Sequence, residues 1–142
     1  MSEPVVEQVD CDILIVGGGM AGCGAAFEAC HWAKTKGLRV VLVEKAAIER
    51  SGAVAMGLSA INCYMGMKWG ENTPEDFVNY VRNDSMGLSR EDLTYDIARH
   101  VDSTVHMFEE WGLPFYKTPE GRYVREGRWQ VMIHGESYKP IV

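Results

Sequence analysis

Gly17, Gly19 and Gly22, with Glu44 further along, have the residue types and spacing of a site for a dinucleotide. In a Gly-x-Gly-x-x-Gly run the first glycine permits a tight turn, and the second lets the backbone approach a pyrophosphate. The third lets a helix pack closely on a strand. Backbone amides of Met20, Ala21 and Gly22 then stand at a helix start, where the helix dipole favours phosphate charge. Glu44 follows Gly22 by 22 residues and ends an apolar run. From that position a carboxylate can accept hydrogen bonds from an adenosine ribose. A carboxylate there disfavours a 2′-phosphate, and so NADP, whereas NAD and FAD share the glycines. The competing reading is a glycine-rich turn that holds no ligand.

The elements that must position these residues can be read from the same stretch. Asp12 to Val16 is an apolar run ending at glycines, the pattern of a buried parallel strand. Met20 to Lys36 is rich in Ala and reads as a helix stopped by Gly37, and Arg39 to Val43 is a second strand. Strand, glycine turn, helix and strand make one βαβ unit with a right-handed crossover. The expected fold class is therefore α/β: a Rossmann-like core with helical and loop additions after its second strand. Residues 1–11 are polar and acidic and read as a loose N-terminal arm. Residues 45–72 carry Gly52, Gly57, Gly66 and Gly70 and read as loop able to lie against a ligand. Thr73-Pro74-Glu75-Asp76 is a helix start, and Ser89-Arg90-Glu91-Asp92 a weaker capping box. Leu93, Ile97, Val101, Val105 and Phe108 then recur at helical spacing as one apolar face, ended by Gly112 and Pro114. Pro119-Glu120-Gly121 reads as a turn between two short extended segments.

Composition narrows the partners. In 142 residues, 14 Lys+Arg face 20 Asp+Glu, a net charge of −6. No cationic excess exists to neutralise nucleic-acid phosphates or an anionic membrane surface. The apolar run Ile13 to Val16 is far shorter than the roughly 20 residues that span a bilayer. The first residues lack the basic start and apolar core of a signal peptide, so a cytoplasmic location with no membrane insertion is expected. Cys11, Cys23, Cys30 and Cys63 have no metal-ligand or redox spacing, so no metal site is expected in this chain. They read as small apolar core residues. The four Trp and eight Met read as core filling, and His31, His100 and His106 as packing or surface residues. His134 beside Glu136 invites an acid–base reading, with a structural hydrogen-bonding role as the stronger alternative.

Val16-Gly17-Gly18-Gly19-Met20-Ala21-Gly22 and Glu44-Lys45 resemble the flavoprotein subunits of the succinate dehydrogenase and fumarate reductase group. In that group a later segment reads roughly Arg-Ser-His-Thr-x-Ala, and its His carries the flavin covalently. Here Arg50-Ser51-Gly52-Ala53-Val54-Ala55 has Gly52 at that place, so the resemblance implies FAD held without a covalent link. The stretch from Arg50 to Asn62 resembles more narrowly the alpha subunits of dissimilatory adenylylsulfate reductases. So do Met86-Gly87-Leu88, Arg90 to Leu93, Ala98 to Ser103, Trp111 to Pro114 and His134 to Pro140. Members of that family are several times longer. The resemblance thus makes residues 12–142 the N-terminal part of a discontinuous FAD-binding domain, incomplete in itself, inactive alone and prone to aggregate.

That resemblance implies reversible conversion of adenosine 5′-phosphosulfate to sulfite and AMP through a flavin N5–sulfite adduct. It assigns Gly17, Gly19, Met20, Ala21, Gly22, Glu44, Lys45, Ser51, Gly52, Ser59, Ala60 and Asn62 to the cofactor. Asn62, Glu126 and Tyr80 correspond to residues near the flavin and substrate. Each has a plainer reading: Asn62 as a turn residue, Glu126 as a solvated ion-pair partner, Tyr80 as core or surface. The implied partner is a beta subunit that carries the iron–sulfur clusters. Two other functions compete, a dicarboxylate oxidoreductase of the succinate/fumarate or aspartate-oxidase type and a nucleotide-binding domain with no reaction. Gly52 and the segments after residue 50 favour the first reading over these.

Overall fold

The structure, a computed structural model, describes residues 6–134 and 138–141. It divides into two compact units, residues 1–56 and 57–142.

In the first unit β1 (Ile13–Val16) and β2 (Val40–Val43) pair in parallel, with Ile13 opposite Val40 and Val16 opposite Val43. Parallel neighbours need a crossover, here α1 (Met20–Lys36). The helix stops where Gly37 takes the left-handed conformation (φ 65) and returns its N–H to the Ala33 carbonyl. The Asp12 carboxylate accepts the Arg39 N–H at 2.8 Å and aligns the two strand starts. Along β1, Ile13 and Ile15 are half-buried, while Leu14 is 58% and Val16 78% exposed. Within this unit one face of the two-stranded sheet is therefore uncovered, as expected of part of a doubly wound sheet. Residues 6–10 are exposed and carry no regular structure.

In the second unit β3 (Ala60–Ile61), β4 (Arg125–Glu126) and β5 (Gln130–Met132) form an antiparallel sheet in the order β3-β5-β4. It accompanies α2 (Pro74–Asp84), α3 (Glu91–Glu110) and the short α4 (Tyr138–Ile141). α2 begins as its sequence dictates. Thr73 Oγ1 accepts the Asp76 N–H at 3.2 Å, and Asp76 Oδ2 accepts the Thr73 N–H at 2.9 Å. The core is two clusters, Tyr64–Val105–Tyr123–Val131 and Met65–Phe77–Ala98–Trp129, with Val101 packed against both.

Four expectations are corrected here. The box at Ser89 does not form: Arg90 is the N-cap, and its guanidinium holds Asp92 at 2.6 and 2.9 Å. A bidentate charged pair outcompetes a neutral amide for that carboxylate, and the Ser89 hydroxyl is buried without a partner. The apolar face of α3 is buried only in its second half, since Leu93 and Ile97 are more than half exposed. Asp102 sets the inward stripe instead, its carboxylate accepting the Met65 and Met67 N–H groups. Segment 45–72 is not plain loop, because it contains β3 and three single 3-10 turns. Finally, Trp32 and Met86 are exposed, and so is Cys30, so not every Trp, Met and Cys fills a core. Among the described residues no helix is long and apolar enough to cross a membrane, and no cluster of metal ligands occurs.

Candidate dinucleotide site

The turn after β1 has the geometry a pyrophosphate needs. Gly17 has φ 101, open only to glycine at low cost, and its N–H donates to the Val43 carbonyl at 2.8 Å. A Cβ on Gly22 would lie 1.8 Å from the Gly17 carbonyl oxygen, so the helix can approach the turn only with glycine there. Gly19 is the N-cap of α1, no side chain caps it, and the first turn has no acidic residue. The amides of Met20, Ala21 and Gly22 thus open the helix with no acceptor from within it and no repelling carboxylate in that turn.

Glu44 stands at the carboxyl end of β2. Its Oε2 accepts the Gly18 N–H at 2.6 Å and its Oε1 the Ala46 N–H at 3.1 Å. These bonds, Gly18's first, hold its carboxyl below the usual carboxylate range, so it is an ionised acceptor at neutral pH. Val16, Gly17, Val43, Glu44 and Lys45 line an open groove of about 510 Å³. It lies beyond the carboxyl ends of two parallel strands, where open α/β sheets hold their ligands. Ser51 and Gly52 belong to this unit too, with Gly52 packed against Gly19. Donors at the turn, an acceptor at β2 and apolar walls between them fit the adenosine diphosphate half of a dinucleotide.

The other sequence-derived candidates fall in the second unit. Ser59 gives its carbonyl to the Ile133 N–H, and Ala60 pairs with Met132. Asn62 is exposed just after β3, and its Oδ1 accepts the Cys63 N–H at 2.9 Å. The turn reading of Asn62 thus describes its Oδ1 contact, while its amide NH2 makes no hydrogen bond among the described residues. Tyr80 lies on α2 with its ring 5.9 Å from Phe77 and 5.3 Å from Trp129, held but still 40% exposed. Glu126 on β4 is exposed, and no described side chain pairs with it. His134 binds the Tyr116 hydroxyl at 2.8 Å, a structural contact, while Glu136 lies outside the described residues.

Sequence reasoning passed over the groups that shape this second set. Cys63 sits at φ 74, an unusual conformation for a residue with a side chain, directly after Asn62. Burial pushes its thiol up to about 11, so it is a neutral packing group and not a nucleophile. Asp102 ties down the amides that follow, at 2.7 Å for Met65 and 2.8 Å for Met67. Arg125 donates to the Tyr64 carbonyl at 2.9 Å and lies over the Tyr64 ring. A single Asp in a helix or an Arg in a hairpin carries no local pattern that distinguishes it from a surface charge.

The profile of the FAD binding domain family matches residues 12–136. The chain belongs to the FAD-binding domain family. Adenylylsulfate reductase subunit alpha of Megalodesulfovibrio gigas is 49% identical over 164 aligned positions, which cover 100% of this chain and 24% of that protein. A solved adenylylsulfate reductase from the hyperthermophilic Archaeoglobus fulgidus is 68% identical, with a TM-score of 0.88 over 95% of this chain and 22% of that one. A structure of adenosine-5-phosphosulfate reductase in complex with sulfite, as a covalent adduct, matches at the same identity, coverage and TM-score. The chain therefore spans about a quarter of the length of these relatives. The α/β expectation stands.

Proposed function

We propose that this chain is the flavin-bearing N-terminal part of an adenylylsulfate reductase alpha subunit. The observation that carries the reading is 49% identity along the whole chain to such a subunit, together with a turn and carboxylate that fit FAD. The activity is conversion of adenosine 5′-phosphosulfate to sulfite and AMP. When bound and reduced, FAD would supply the two electrons that take sulfur to sulfite as its bond to the AMP oxygen breaks. The amides of Met20, Ala21 and Gly22 hold the pyrophosphate and Glu44 the adenosine ribose, with Lys45, Ser51 and Gly52 beside them. Ser59, Ala60 and Asn62 serve the flavin end, Asn62 through its amide NH2. Tyr80 presents its hydroxyl from a ring fixed by Phe77 and Trp129, and Glu126 an unpaired carboxylate toward substrate. Gly52 offers no nucleophile, so the FAD is held without a covalent link.

Electrons reach the flavin from a partner, a reading supported by the likeness to a protein named as a subunit alpha. An iron–sulfur beta subunit supplies that chemistry. Cys11, Cys23, Cys30 and Cys63 stand as thiols outside any disulfide, which suits a reducing, cytoplasmic setting. The test uses the full-length protein. Added sulfite is expected to bleach the oxidised flavin, and AMP to slow turnover of phosphosulfate. A protein that reduces fumarate and ignores phosphosulfate would refute the proposal in favour of a dicarboxylate oxidoreductase.

A further inference from the structure

β5 is the centre strand of the second unit, and Asn62 and Glu126 lie on either side of it. Ala60 and Ile61 of β3 stand opposite Met132 and Val131, and contact resumes where the Tyr64 N–H donates to the Trp129 carbonyl at 3.1 Å. Asn62 and Cys63 together therefore face Gln130, a β-bulge in which Cys63 takes φ 74. On the other edge Glu126 pairs with the same Gln130. A bulge interrupts the ladder, so this stretch needs another tie. Arg125 supplies it. Its Nη1 donates to the Tyr64 carbonyl at 2.9 Å and to the Arg128 carbonyl at 2.6 Å, so it reaches the chain just beyond Asn62 and just beyond Glu126. Its Nη2 pairs with the Glu71 carboxylate, and its guanidinium lies 4.8 Å from the centre of the Tyr64 ring. Gly66 makes room for the pair, since a Cβ there would overlap both the Glu71 carboxylate and the Arg125 guanidinium.

We propose that Arg125, anchored by Glu71, is a positioning residue that holds the Asn62 bulge and the Glu126 hairpin in fixed relation for turnover of phosphosulfate. It acts through the main chain on both sides of β5. Neighbouring strands lie about 4.8 Å apart, so the backbones at 62 and 126 are about 10 Å apart, and a shift on either side changes that gap directly. A guanidinium suits the task because its rigid fork serves several acceptors in set directions. A lysine ammonium on its flexible stem keeps the charge without that geometry. Successive side chains of a strand point to opposite faces, so Arg125 does not neutralise the Glu126 carboxylate that it positions. The inference rests on the reading of Asn62 and Glu126 as site residues and adds the group that sets them.

The experiment uses the full-length protein loaded with FAD. Arg125→Lys should lower kcat for phosphosulfate about tenfold, while KM and the FAD dissociation constant stay within about threefold of wild type. Two double-mutant cycles separate positioning from plain stability. In an Asn62→Ala or a Glu126→Gln background, Arg125→Lys should lower kcat by about threefold or less, because one group that it positions is already gone. Its effect on melting temperature should be the same in every background. Losses of kcat that multiply fully in both backgrounds would overturn the proposal and leave Arg125 a stabilising residue only. A wild-type kcat in Arg125→Lys would overturn it too, since charge alone would then suffice. In flavin-free Arg125→Lys, hydrogen exchange over residues 61–65 and 125–130 should quicken together, and quickening of one segment alone or of neither would count against the clasp. If Arg125→Lys does not fold, Glu71→Gln, which leaves Arg125 a neutral acceptor, decides by the same readouts at a smaller loss. A wild-type protein that neither turns over phosphosulfate nor bleaches with sulfite would overturn this inference together with the reading beneath it.

Discussion

Asp102→Ala should destabilise the second unit more than its position in the middle of a helix suggests. The carboxylate is buried, 6% exposed, and its two oxygens accept the Met65 N–H at 2.7 Å and the Met67 N–H at 2.8 Å. Neither amide has an alternative partner in a strand or helix ladder, so truncation leaves two donors unsatisfied. A buried donor left unpaired costs about 1–3 kcal/mol. Met65 is fully buried and Met67 is 40% exposed, so water rescues the second amide and spares the first little. Relief of the buried charge offsets part of the loss. The expected net cost is about 2–4 kcal/mol, and about half that for Asp102→Asn, which keeps one acceptor. Urea denaturation followed by Trp129 fluorescence measures the total, and hydrogen exchange at the Met65 and Met67 amides localises it. Asp102→Ala within about 0.5 kcal/mol of the parent, with Met65 protection unchanged, would refute the reasoning.

Three further outcomes are expected. Glu44→Ala should weaken FAD binding about tenfold, measured by flavin fluorescence titration, because a charged acceptor for the ribose is lost together with the Gly18 contact. Asn62→Ala should lower turnover of phosphosulfate more than it lowers flavin content; equal losses would make Asn62 a cofactor-retention residue instead. Acid should unfold the second unit only well below neutrality. The Thr73 amide and hydroxyl hold the Asp76 carboxyl below its ordinary 3.8. At Glu109 burial raises the carboxyl, but the Lys117 and Tyr123 bonds outweigh it and leave it below 4.5. Depressed folded pKa values stabilise above the unfolded values and are lost as pH falls through the folded ones. The urea midpoint should therefore be flat from neutrality to about pH 5 and drop below about pH 4, more shallowly in Asp76→Asn; a drop centred between pH 5 and 7 would contradict this assignment.

What could be read from the sequence and what could not divide by range. The βαβ unit and its glycine turn were legible because each rule involved is local: apolar runs for β1 and β2, glycine where a helix meets a strand, Gly37 at the helix end. The Thr73 cap was legible for the same reason, its two partners being three residues apart. The sheet of the second unit was not, because β3 and β5 are two- and three-residue strands that meet across some 70 positions. No periodicity can announce strands that short. The Ser89 box failed because Arg90 won a competition for Asp92 that depends on side-chain reach and charge, not on spacing.

The candidate site divides the same way, and the division bears on how its residues work. Gly17, Gly19, Gly22 and Glu44 declare themselves because a dinucleotide site of the proposed kind uses backbone and one carboxylate, at spacings the βαβ unit fixes. Ser51 and Gly52 were marked only by likeness to flavoproteins, yet Gly52 packs against Gly19 of the fingerprint itself. Gly52 has φ +81, and a Cβ built there would stand 2.9 Å from the Gly19 Cα, so glycine lets this segment pack against the helix start. No spacing rule places residue 52 beside Gly19; the contact arises because the chain returns to the turn after β1 once β2 has ended, a path set by the whole unit and not by a local pattern.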